Sequence, residues 1–276
     1  MLETRSLRNH YFPIAATLLV TPALICVAIH FSDESLKESL TLFFSSPSLL
    51  AMYTTNFVHK NDTHLLNNML LYLIAGGLSI LLYRKMALES VFMISFVATI
   101  TLIPYVCSLG SLYLLPNLNS SIGFSGVTYA VYGILLSGIS MWMVFEKRDE
   151  VYSSMFISFF VVYNYLALTF QRAPYPWAGY LSIVLPVIPF TILAQKYKKD
   201  KAKLKKIILS FLLISLAFTV VLDGISPYIL MDGVNAVAHY LGLLFGVTIP
   251  HIVLDRIDAR VFYQNQLCTS ASEQMG

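Results

Sequence analysis

Ser125 stands in Gly123-Phe124-Ser125-Gly126, where an uncharged loop runs into an apolar stretch of helix length. His239 stands in Ala238-His239-Tyr240-Leu241-Gly242, at the start of another such stretch. A serine hydroxyl is a weak nucleophile until a neighbouring base takes its proton, and neutral imidazole suits that task near neutral pH. A third stretch, His59-Lys60-Asn61-Asp62-Thr63-His64-Leu65-Leu66-Asn67-Asn68, adds polar donors. On a helix His64 and Asn68, four apart, share a face, as do Ser125 and Tyr129. The Asn68 amide, a ring nitrogen of His64 and the Ser125 backbone N–H are candidate donors for the oxyanion of a tetrahedral intermediate. No span contains Asp or Glu, so the residues describe a Ser–His dyad, with His239 oriented by its neighbours, Tyr129 foremost. Gly123 and Gly126 allow close backbone approach beside Ser125. Gly242 and Gly246 form a small-xxx-small stripe beside His239, suited to tight contact with the serine helix.

The elements positioning these groups are membrane spans. Of 276 residues 57% are apolar and 12% charged, with mean hydropathy +0.70. Soluble domains hold about 25% charged residues. Runs free of Asp, Glu, Lys and Arg lie near 11–31, 64–83, 91–110, 125–145, 151–171, 177–195, 207–222 and 235–254. Each approaches the ~20 residues that cross a bilayer. Eight spans place 15 of the 18 Lys and Arg residues on the side shared by both termini and 3 on the other. The positive-inside rule makes the rich side cytoplasmic. His64, Ser125 and His239 then all sit at shallow depth on the extracytoplasmic side. The expected organisation is a cytoplasmic N-terminus at 1–10, a transmembrane domain at 11–254 and a polar cytoplasmic tail at 255–276.

Other chemistry finds little support. The net charge of +3 comes mostly from the seven lysines of 196–206, a topology determinant that also meets anionic lipid, so nucleic acid is not an expected partner. Cys26, Cys107 and Cys268 show no ligand or disulfide spacing, and no HExxH motif or intramembrane Asp pair occurs. Neither metal nor cofactor is expected. Alone, Ser125 reads as a helix-contact residue, and His239 reads equally as functional or structural. Their co-location with His64 and Asn68 favours catalysis. His30 and His251 stand near span ends and read as interfacial residues without assigned partners.

The order HxxxxHxxxN, GxSGxxYA and AHxxGxxxG resembles the rhomboid family of intramembrane serine proteases, over about 59–133 and 235–250. The resemblance implies an all-α polytopic helical bundle with a six-helix core. Here two extra spans lie between the serine and histidine helices, making about eight. It implies Ser125 as nucleophile, His239 as general base and then acid, and His64, Asn68 and the Ser125 amide as oxyanion stabilisers. His59 would support the water-filled cavity, Tyr129 would hold the His239 ring, and Gly242 and Gly246 would permit the helix contact. The implied substrates are transmembrane segments of other proteins, cut within a cell membrane without cofactor. The 32–63 loop lacks the Trp-Arg pair of many members and, with Phe43, Phe44 and Pro47, fits a partly embedded loop only loosely. The principal alternative is a catalytically inactive rhomboid-like protein that binds membrane clients. Keeping both Ser125 and His239 argues against it. A transporter should show repeated broken helices in its two halves, and none is evident.

Overall fold

The computed structural model describes residues 2–115, 119–144, 195, 197–201, 204–205 and 236–274. In chain order the elements are α1 (Leu2–His30), α2 (Glu34–Leu40), β1 (Leu42–Phe43), α3 (Leu49–Thr54), a 3-10 turn (Thr55–Phe57), α4 (Asp62–Lys85), α5 (Glu89–Leu114), β2 (Ser120–Ser121), α6 (Ser125–Val144) and α7 (Ala236–Gln274). The expected spans at 151–171, 177–195 and 207–222 fall outside the described residues apart from Gln195.

Four of these helices are long and apolar enough to cross a membrane: Tyr11–His30, Asp62–Lys85, Glu89–Leu114 and Val237–Ile257. The chain is therefore a multi-pass integral membrane protein of mainly helical structure. Leu66, Leu70, Ile74 and Leu78 stay exposed at four-residue spacing along α4, one stripe suited to lipid contact. Its other face carries buried Leu65, Met69, Tyr72, Ala75 and Ile80.

α6 differs from its neighbours. Its Gly126, Thr128, Gly133, Ser137, Gly138 and Ser140 dilute the apolar run, yet Val127, Ala130, Val131 and Ile134 are wholly buried. Small residues let backbones approach closely where lipid supplies no hydrophobic drive between helices. α6 accordingly sits at the centre, against α4, α5 and most extensively α7.

Polar caps begin the shorter elements and α4. Asp33 accepts from Leu36 N, Ser48 from Ala51 N, and Asn61 from His64 N, each satisfying a first-turn donor. The α4–α5 turn is tight, with Ala87 left-handed at φ 58° and Leu88 N donating to Tyr83 O at 2.9 Å.

The 32–63 segment, which fits a partly embedded loop only loosely by sequence, is built from short elements: α2, β1, α3 and the 3-10 turn. β1 pairs antiparallel with β2, Leu42 opposite Ser121. Thr55 Oγ1 donates to Ser121 O and accepts from Leu42 N, tying both strands to the 3-10 turn. Asn56 Nδ2 donates to Met52 O and Pro104 O, and Ser108 Oγ donates to Met52 O at 2.6 Å. These bonds fasten α3 to α5 and fix the surface on which the Ser125 loop rests. At the other end α7 remains helical to Gln274, through the polar tail.

Candidate active site

The loop before α6 is held from below and from the side. Gly123 N donates to Thr55 O at 3.1 Å, and Gly123 adopts φ 120°, a conformation open to glycine at little cost. A Cβ there would also lie 2.7 Å from His64 Cε1, so the imidazole rests against the bare backbone. Phe124 follows, fully buried, its ring 5.4 Å from Phe57 and 5.0 Å from Tyr72. Phe124 anchors the chain and leaves Ser125, half-buried, as the first residue of α6. The first N–H groups of a helix have no intrahelical acceptor and carry its positive dipole end. Negative charge developing on an oxygen near Ser125 is favoured there.

Asn61 caps α4 through a 2.9 Å bond from His64 N, fixing the turn that presents His64. One turn on, Asn68 is buried, and its Nδ2 has no hydrogen-bond partner among the described residues. Thr128 Oγ1 of α6 bonds Asn68 O at 3.4 Å, so the Asn68 turn lies directly on the serine helix. A buried amide without an acceptor costs free energy, and a transient oxyanion would satisfy it.

His59 precedes α4. Its ring lies edge-on to His64 at 5.1 Å, and its Nδ1 donates to Phe57 O at 3.2 Å, leaving Nε2 as a lone pair with no partner among the described residues. Burial, then the neighbouring charge of His64, pushes its pKa from 6.5 down to about 3, so the ring is neutral at ordinary pH.

His239 is buried, and its ring stacks on Tyr129 at 4.3 Å with an interplanar angle of 11°. Tyr129 is one turn beyond Ser125 on the same face of α6, so the stack sets the imidazole beside the serine turn. Such ring pairs contribute about 0.5–1.5 kcal/mol beyond area burial. No hydrogen bond joins Ser125 and His239 among the described residues. Catalytic bonds often form only once substrate is bound.

The α6–α7 contact is built from absent side chains. A Cβ on Gly242 would collide with Gly126 O, and one on Gly246 with Ala130 O. From the other helix, a Cβ on Gly133 would lie 2.6 Å from Leu243 O and 2.8 Å from Val247 N. Cys107 Sγ of α5 bonds Ala238 O at 3.4 Å, holding α7 where His239 begins. Ser125, Tyr129, His239, Gly126, Gly242 and Gly246 thus meet along one seam, and His64, Asn68, His59 and Gly123 close its leading end. The described residues include no cluster of three or more His, Cys, Asp or Glu side chains able to hold a metal ion.

Two histidines read as interfacial without assigned partners are themselves buried and have side-chain partners. His30 Nε2 lies 2.7 Å from Asp62 Oδ1, tying the end of α1 to the start of α4. His251 is buried against Ser137 of α6, with 3.1 Å between Nδ1 and Oγ. The second pair has a signal in the sequence: Ser137 and His251 are 114 positions apart, the separation of Ser125 and His239.

Residues 46–182 match the family model described as Rhomboid domain. No curated protein and no solved structure matches the chain. The matched stretch contains His59, His64, Asn68, Ser125 and Tyr129 but ends before α7, so the juxtaposition of His239 with Tyr129 comes from the geometry. The motifs, the mainly helical membrane-spanning architecture and this match lead to one conclusion: the chain belongs to the rhomboid family.

Proposed function

We propose that the protein is an intramembrane serine endopeptidase. Ser125 Oγ attacks the scissile carbonyl, and His239 takes the hydroxyl proton and returns it to the leaving amine. The Asn68 amide, His64 and the Ser125 backbone N–H hold the oxyanion. Tyr129 supplies the stacking surface that orients His239 in place of an acid, and His59 lines the polar space beside His64. Substrates are transmembrane segments of other proteins, and no metal or cofactor takes part. The observation carrying this reading is the 4.3 Å stack of His239 on Tyr129 across a seam of facing glycines, one turn from Ser125.

The proposal includes a topology of eight spans with both termini cytoplasmic and the site opening on the opposite side. It is supported by the charge asymmetry and by α4, α6 and α7 each beginning at the site. Purified protein in liposomes should cleave a co-reconstituted transmembrane substrate, and Ser125→Ala should not. Equal cleavage by both would refute the assignment.

A further inference from the structure

The Ser137–His251 pair repeats the Ser125–His239 separation 12 residues further along both helices. Since α6 and α7 run side by side in the same direction at this offset, the two pairs mark the two ends of one seam. The deeper pair is built differently. Ser137 is fully enclosed and His251 is 2% exposed. His251 Nδ1 lies 2.9 Å from Val247 O and 3.1 Å from Ser137 Oγ. A carbonyl can only accept, so Nδ1 carries the proton and shares it between Val247 O and Ser137 Oγ. With no lone pair on that nitrogen, His251 cannot act through it as a base toward Ser137. Tyr83 of α4 reaches α6 beside Gly138, and its Oη donates to Ile134 O at 3.2 Å, one turn before Ser137. His251 and Tyr83 thus each have an acceptor for their proton, and α4, α6 and α7 are joined at this level.

The location gives the network work to do. Pro250 has no N–H for Gly246 O, so the hydrogen-bond ladder of α7 is broken at the glycine facing Ala130. Helices bend at such breaks. His251 is the next residue after Pro250, and its bond to Ser137 fastens α7 to α6 where the ladder is weakest. Gly138 completes the fit, because a Cβ there would lie 2.6 Å from Tyr83 Cε2.

We propose that Ser137, His251 and Tyr83 form a register pin: positioning residues that fix the slide and bend of α7 against α6 and so set His239 opposite Ser125. This rests on the dyad reading, but the register itself can be measured without turnover. The discriminating variants are His251→Leu, which removes the donor, and His251→Asn, whose amide N–H restores a donor near the Nδ1 position. In proteoliposomes His251→Leu should lower kcat by about 10- to 100-fold, the scale of an ångström-sized misplacement, with KM within about twofold. His251→Asn should regain most of that loss, and Ser137→Ala should resemble His251→Leu.

Hydrogen exchange of the 237–242 amides should rise in His251→Leu and Ser137→Ala but not in His251→Asn. A folded His251→Leu protein with wild-type kcat overturns the proposal. So does a joint loss of kcat, KM and thermal midpoint that His251→Asn fails to restore, because that pattern marks general support of the fold. If wild-type protein cleaves nothing, the protease reading fails separately, and exchange at 237–242 decides the pin: unchanged exchange in both disruptive variants overturns it.

Discussion

The two ends of the α6–α7 seam hold the same residue types at the same separation in opposite states. At the deeper end His251 is bonded to Ser137 and Val247, and Tyr83 to Ile134 on the same stretch of α6. At the leading end His239 is held by ring stacking on Tyr129, and among the described residues no hydrogen bond joins it to Ser125. Nearby, Asn68 Nδ2 and His59 Nε2 are buried without partners among the described residues. Satisfied buried polar networks rigidify a fold, whereas unsatisfied ones store capacity at a cost in stability. A serine and a histidine in contact therefore do not make a reactive pair. Reactivity needs an imidazole with a free lone pair and donors awaiting charge.

The sharpest way to break this contrast is His239→Ala. General-base catalysis contributes about 10²–10⁴ in rate, so turnover should fall by that much while the helical content and thermal midpoint persist. Unaltered turnover would put the base elsewhere. Asn68→Ala should cost less, about 10-fold to 10²-fold in kcat, because single oxyanion donors contribute up to 10²–10³ and others remain here. A change confined to KM would remove Asn68 from the oxyanion site. Gly246→Ala tests the seam between the two pairs. Its Cβ meets Ala130 O, and overfilling of this kind costs about 1–3 kcal/mol. Thermal unfolding should show it, with activity reduced in parallel.

The smallest effect concerns His59. Its native pKa of about 3 lies below the ordinary 6.5, so the unfolded chain binds the proton first as pH falls. Stability therefore declines as pH drops from about 6.5 toward 3. His59→Gln should lessen the fall in melting temperature between pH 7 and 4.5. An unchanged pH dependence would show that His59 is not held neutral by burial.

The sequence makes some of this arrangement readable and hides the rest for physical reasons. Hydropathy finds α1, α4, α5 and α7 because each holds a long apolar window with few charges. α6 is legible both as the charge-free run 125–145 and by its motif, although its glycines and serines, which serve close helix contact, dilute its apolarity. The 32–63 segment resists reading because its elements are short and depend on distant partners: Thr55 bonds Ser121, 66 residues away. His30 and His251 fail for a related reason. A span end predicts water or headgroups, and only the folded bundle brings Asp62 and Ser137 to them. Pairing of two motifs by equal separation is visible in the sequence, but which pair is locked depends on Pro250, Val247 and Tyr83 together.

The most direct test of the central claim is mapping the adduct of a fluorophosphonate, which reacts with an activated serine. After treatment of folded protein in a bilayer, mass spectrometry should find phosphonylation on Ser125 alone, abolished in His239→Ala and leaving Ser137 unmodified. Folded protein without an adduct on Ser125, or with the adduct on Ser137, would contradict the account.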